Sequence, residues 1–138
     1  MIYILLAAGP VENIPPLFSL KEKFPNATWI GVDRGVYHLL SHHINPKIAI
    51  GDFDSLSKEE KKKLEKENLS FFLYPTEKDK TDLELAIDWT ISQRAKEIII
   101  LGATGGRLDH FLMNVQLLQK GLEKNINITI VDKGNRIT

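Results

Sequence analysis

The sequence predicts an α/β fold, a three-layer domain in which a mostly parallel sheet of about six strands lies between helices. Three observations point there. Short β-rich apolar runs alternate with amphipathic segments along the whole chain. Several of these runs, "YILLAA", "IIIL" and "ITIV", are continuous instead of alternating in polarity. Two of the amphipathic segments open with a helix-capping signature. A continuous apolar run suits a strand covered on both faces, as in parallel sheets with helices on each side.

The expected strands, in order, are Ile2–Ala8, Thr28–Val32, Lys47–Ile50, Ser70–Tyr74, Glu97–Leu101 and Asn127–Val131. Between the third and fourth, Ser57 and Glu60 form an S-x-x-E box ahead of "KEEKKKLEKEN"; before the fifth, Thr81 and Glu84 form a T-x-x-E box ahead of "DLELAIDWTISQR". After Arg107, the residues Leu108, Phe111, Leu112, Val115, Leu118 and Leu122 follow a three-four spacing, which predicts one core-facing stripe on a helix ending near Gly121. Strand and helix therefore alternate throughout, and right-handed βαβ units would wind them into a Rossmann-like sheet. Lysines and glutamates mix in the run from 58 to 67, which reads as a solvated helix face.

A chain of 138 residues makes one ordinary domain. Its 18 basic and 18 acidic residues cancel, so no overall field draws it to nucleic acid or to an anionic membrane, and any anion site must be local. Without cysteine there is neither a disulfide framework nor a thiolate metal site, and a cytoplasmic location is expected. The apolar N-terminus is too short for a membrane span and lacks a basic leader region, so it reads as the first core strand.

In open α/β sheets, ligands bind beyond the carboxyl ends of the strands. The second strand ends in "GVDRG", with Asp33 and Arg34. The third ends in "GDFDS", with Asp52, Asp54 and Ser55. The fourth leads into "PTEKDKTD", with Lys78, Asp79, Lys80, Thr81 and Asp82, and the fifth into "GATGGRLDH", with Arg107 and Asp109. One acid in such a place needs no function, because Asp is a common turn and cap residue and is stabilised in a first helical turn. Four consecutive acid-bearing strand ends are different. Carboxylates interspersed with Lys and Arg suit a hard divalent cation held between protein oxygens and substrate phosphates, and a cation would offset the repulsion between Asp52 and Asp54.

The glycines of "GATGGR" let the backbone of Thr104, Gly105 and Gly106 approach an anion near a helix start, and Arg107 is placed to fork onto a phosphate. The segment is neither a Walker loop nor G-x-G-x-x-G. His42 and His43 fall near a helix C-terminus and are expected at the surface; His38 and His110 have no clear assignment, and Trp29 and Trp89 are expected in the core.

Taken together, "GVDRGVYHLL", "IGDFDS", "EKDKTDLELA" and "LGATGGRLDH", in this order and at these separations, resemble the successive motifs of the thiamine pyrophosphokinase family. The resemblance runs the length of the chain. It implies transfer of a diphosphoryl group from ATP to the hydroxyl of thiamine, giving thiamine diphosphate and AMP, with Mg2+ held by Asp52, Asp54 and Asp82. It further implies that Arg107 and Asp109 lie against the phosphates and near the substrate, and that Asp33 lines the nucleotide side. Where relatives often read D-G-G, this chain has Asp33-Arg34-Gly35.

The same resemblance implies a C-terminal β-sandwich domain that forms much of the thiamine pocket and the dimer interface. Residues 1–138 correspond to the ATP- and Mg-binding catalytic domain only, and a homodimer is expected for the complete protein. Two other readings stay open at this point. The "DFDS" pair is compatible with an aspartyl-phosphate phosphatase, although that motif normally follows the first strand and here follows the third. A nucleotide-binding module without catalysis is the other.

Overall fold

The computed structural model describes residues 1–51, 57–59, 62, 70–72, 81–105 and 108–138. Within them, seven strands form one sheet: β1 (Ile2–Leu6), β2 (Thr28–Val32), β3 (Ile48–Ile50), β4 (Ser70–Phe72), β5 (Glu97–Leu101), β6 (Asn127–Val131) and β7 (Arg136–Ile137). Their order across the sheet is β4-β3-β2-β1-β5-β6-β7. Strands β1 to β6 are parallel to their neighbours, and β7 folds back antiparallel on β6. The expected α/β fold and mostly parallel sheet are present, with the short β7 as an addition. Its two residues carry too little pattern to be read as a strand.

The helices are α1 (Leu17–Lys23), α2 (Gly35–Ser41), α3 (Asp82–Ser92), α4 (Leu108–Gln116) and α5 (Leu118–Lys124). Lys58, Glu59 and Lys62 are helical as well, while Glu60, the second half of the Ser57 box, lies outside the described residues. The Thr81 cap is formed: its Oγ1 accepts from the Glu84 backbone N–H at 3.2 Å. That bond satisfies one of the donors a helix start leaves unpaired.

Two apolar cores explain the continuous runs. Tyr3, Leu5, Ile98 and Ile100 point to one face of the sheet and pack with Leu83, Ala86 and Ile87 of α3. Ile4, Leu6, Ile99 and Leu101 point to the other, with Leu17 of α1, Leu39 of α2 and Ile14 and Ile44. Because side chains alternate across a strand, a strand buried on both faces must be apolar at every position. Trp29 is buried, and Trp89 packs partly buried against the core with its ring edge-on to Tyr3 at 6.1 Å between centroids.

The predicted stripe after Arg107 needs correction. Two helices stand where one was expected, because Leu117 N–H bonds to Asn114 O and Lys120 N–H to Leu117 O, both three-residue steps that break the 3.6-residue phase. Val115, Leu117 and Leu118 pack partly against the core. Leu108, Leu112 and Leu122 are exposed, at 70%, 53% and 83%.

Candidate functional site

Strand order reverses between β1 and β5, since β1 runs on to β2 on one side and pairs with β5 on the other. A crevice beyond the carboxyl ends of the strands opens at such a switch point. Here its floor is the contact of two loops. Ala7 N–H bonds to Leu101 O at 2.8 Å and Gly9 N–H to Gly102 O at 2.7 Å.

The glycine-rich loop after β5 is braced from several sides. Asn114 Nδ2 of α4 donates to Ala103 O at 3.2 Å. Gly105 takes a left-handed φ of 82°, and a Cβ there would collide with Asn13 Nδ2, so only glycine lets the loop sit against Asn13. Thr104 is 7% exposed, and its Oγ1 is buried without a hydrogen bond of ordinary geometry. Asn13 and the Ala7–Pro10 turn were not among the residues singled out from sequence; "AAGP" carries only a weak turn signal, and its role comes from the pairing of β1 with β5.

On the other arm, Asp33 directly follows β2 with φ 51°, a left-handed conformation that Asp tolerates better than most residues. Its N–H donates to Ile50 O at 2.9 Å and its carbonyl accepts from Val36 N–H at 3.1 Å, which locks β2, β3 and the start of α2 together. Its carboxylate lies against Gly51, the first residue of the "GDFDS" motif. Arg34 follows, exposed, at the start of α2.

Helix α3 packs over β2 and β3. Thr81 caps it and Asp82 is its first residue, partly exposed, where the positive end of the helix favours a carboxylate. Farther along, Lys120 of α5 reaches back to α3, 3.0 Å from Glu84 Oε2 and 2.8 Å from Asp88 Oδ1. The hydrogen bond to Asp88, then that to Glu84, outweigh burial and hold the Lys120 ammonium above its usual pKa. A cleft of about 390 Å3 opens beside this pair, lined by Thr81, Met113 and Leu117 among others.

Asp33, Arg34, Thr81, Asp82, Thr104 and Gly105 are thus described, and all stand at strand ends or helix starts. Asp109 lies in the first turn of α4. Asp52, Asp54, Ser55, Lys78, Asp79, Lys80, Gly106 and Arg107 lie outside the described residues. Among the described residues, no group of three or more His, Asp or Glu side chains comes together, and no helix is long and apolar enough to cross a membrane. His42 and His43 are exposed, as expected, and His38 is partly buried with its ring stacked on His42 at 4.7 Å.

Comparison with known proteins agrees with this layout. Residues 21–130 match the family model described as thiamin pyrophosphokinase, catalytic domain. The chain is 45% identical over 133 residues to the thiamine pyrophosphokinase of Bacillus subtilis (strain 168), covering 96% of this chain and 61% of the relative. A crystal structure of the Bacillus subtilis enzyme superposes with a TM-score of 0.90 at 41% identity, over 99% of this chain and 63% of that one. The thiamin pyrophosphokinase of Geobacillus thermodenitrificans gives 0.85 at 43% identity, over 96% and 60%. Yeast thiamin pyrophosphokinase, 17% identical with a TM-score of 0.77 over 94% and 58%, shares the fold. The chain spans about three fifths of the length of its Bacillus subtilis relative. With its motifs in family order on the family's fold, the chain belongs to the thiamin pyrophosphokinase catalytic-domain family.

Proposed function

We propose that this chain supplies the nucleotide side of a thiamine diphosphokinase, moving a diphosphoryl group from ATP to the hydroxyl of thiamine with release of AMP. The observation that carries the reading is the gathering of the Asp33 turn, the cap of α3 and the glycine-rich loop after β5 on one edge of the sheet, in a chain 45% identical to a thiamine pyrophosphokinase.

In this reading the hydroxyl attacks the β-phosphorus in line while AMP departs. Phosphoryl-type transfer asks the protein mainly for positioning and charge stabilisation. Backbone N–H groups of Thr104, Gly105 and Gly106 receive phosphate oxygens, Arg107 forks onto the transferred group, and Lys78 and Lys80 add positive charge. Asp33, Arg34, Ser55, Asp79 and Thr81 line the nucleotide. Asp109 or Asp79 accepts the hydroxyl proton, and the pH profiles of Asp109→Asn and Asp79→Asn decide between them.

The donors at this edge are carboxylate and hydroxyl oxygens, and the chain has no thiolate to offer, so the set fits a hard cation such as Mg2+. Asp52, Asp54 and Asp82 would hold it, and when bound it supplies neutralisation of phosphate charge. A further β-sandwich domain, in the same reading, holds most of the thiamine and joins two copies into a dimer.

Product analysis with ATP, Mg2+ and thiamine tests the proposal in a protein that joins this chain to such a β-sandwich domain. AMP should appear in step with thiamine diphosphate. Inorganic phosphate from the "DFDS" pair would favour a phosphatase, and binding without product would leave a nucleotide-binding module.

A further inference from the structure

Strand β5 lies between β1 and β6 and is in register with both: Leu6 stands opposite Leu101, and Ile100 opposite Ile130. The glycine-rich loop that leaves β5 is therefore flanked on one side by the chain leaving β1 and on the other by the chain leaving β6. Strands that are second neighbours in a sheet run roughly 9–10 Å apart, too far for a backbone hydrogen bond between them. Beyond the strands the two flanks nevertheless meet. Lys133 N–H, after β6, donates to Asn13 O, after β1, at 3.1 Å. That bond spans the place where the loop leaves the sheet.

Both ends of the span are fixed by their own surroundings. Asn13 closes a 3-10 turn over Val11–Asn13 with its N–H on Pro10 O at 3.1 Å, and the next residue, Ile14, is buried in the core with Leu17. Lys133 stands second in the turn Asp132-Lys133-Gly134-Asn135. There Asp132 Oδ1 accepts from Gly134 N–H at 2.9 Å and from Asn135 N–H at 2.6 Å, and Asp132 N–H donates to Asn135 O at 3.0 Å. An Asp side chain that binds the backbone of its own turn holds that turn in one shape.

From this span the Asn13 side chain reaches onto Gly105. Its Nδ2 occupies the space a Cβ would need there, and Asn13 Cγ and Pro10 Cγ each lie 3.3 Å from that position. Gly102 and Ala103, at the start of the loop, are tied by hydrogen bonds to Gly9 and Asn114; Gly105, farther out, meets Asn13 by packing. We propose that Asn13 is a positioning residue for the glycine-rich loop: strapped to the turn after β6 by the Lys133 N–H, it presses on Gly105 and fixes where the loop N–H groups meet the phosphates of ATP. This rests on the functional reading above. Asn13 touches no reacting atom in this scheme, and it acts through the shape of its side chain. Nucleotide affinity should therefore suffer when it is cut back, and the leaving group should not change.

Mg-ATP affinity, measured by calorimetry on the chain and four variants, tests the strap. Asn13→Ala removes the pressing side chain, and Lys133→Pro removes the N–H donor at the second position of a turn, which proline suits. Each should weaken Mg-ATP binding about tenfold, because the ordering of one loop residue then falls on the binding step instead of on folding. The two links act in series, so the double variant should bind no worse than the weaker single one. Asn13→Leu, nearly the same shape without polar atoms, should bind like the parent. Amide exchange at Gly105, read without nucleotide, should be faster in Asn13→Ala and Lys133→Pro than in the parent or Asn13→Leu. Losses that multiply in the double variant, Asn13→Leu as weak as Asn13→Ala, or unchanged binding in Asn13→Ala would each overturn the proposal. Should Lys133→Pro fail to fold, the comparison of Asn13→Ala with Asn13→Leu decides alone. If the parent itself did not bind Mg-ATP, the functional reading would fail separately, and exchange at Gly105 would judge the strap, with unchanged rates in the single variants refuting it.

Discussion

The carboxylate of Asp33 rests against the α-carbon of Gly51, so that the end of β2 and the end of β3 share one space with no room for a methyl group. Gly51 has φ 140°, a conformation closed to most side chains. Gly51→Ala should therefore destabilise the fold by about 1–3 kcal/mol through backbone strain and the displaced carboxylate. Urea unfolding reads the loss, and a variant as stable as the parent would mean that the two strand ends are not locked as described.

Thr81→Ala removes the side-chain acceptor for the Glu84 N–H at the start of α3. The expected cost is about 1 kcal/mol of stability. Because Asp82 is the next residue, the fraying should also weaken Mg-ATP binding, and Thr81→Ser should restore both. Calorimetric unfolding and binding on the same samples separate a local cap from a wider change.

Lys120 joins α5 to two acids one turn apart on α3, Glu84 and Asp88. With its pKa raised by these partners, its contribution is present at neutral pH and is lost as pH rises through the folded value. Lys120→Met should cost about 0.2–1 kcal/mol at neutral pH, the range of partly exposed ion pairs, and less in high salt. A cost that salt leaves unchanged would point to packing of the lysine stem instead.

His38 is held below its usual pKa first by burial and then by the stacked His42. A depressed folded pKa means that the unfolded chain takes up the proton first as pH falls from about 6.5, so stability declines through that window until the folded value is passed. His42→Ala should raise the His38 pKa partway, since burial remains as the larger cause. NMR titration of the imidazole measures it, and an unmoved His38 would remove His42 from the account.

Most of the fold could be read from local pattern, and the reasons are visible in particular elements. "YILLAA" and "EIIIL" named β1 and β5 because burial on both faces leaves no polar position to confuse a strand with an amphipathic helix. Thr81 marked the start of α3 because a cap is a bond between residues three apart. The places of Asp33, Asp82 and Gly105 were legible for the same reason: a strand end, once located, puts its loop at a known edge of a parallel sheet.

The apolar spacing from Leu108 to Leu122 failed as a guide. Periodicity reports which residues share a face of a helix; it cannot say that the helix breaks at Leu117 or that Leu108, Leu112 and Leu122 meet no other part of the described chain surface closely enough to be buried. By itself the sequence determined the kind of most main elements and the family to which its motifs point, while β1 ends at Leu6 instead of Ala8 and β3 starts at Ile48 instead of Lys47. Tertiary structure alone decided that Asp33 meets Gly51, that Asn13 meets Gly105 and that Lys133 in the turn after β6 reaches Asn13. These partners are far apart along the chain, and they come together only because β2 pairs with β3 while β5 lies between β1 and β6.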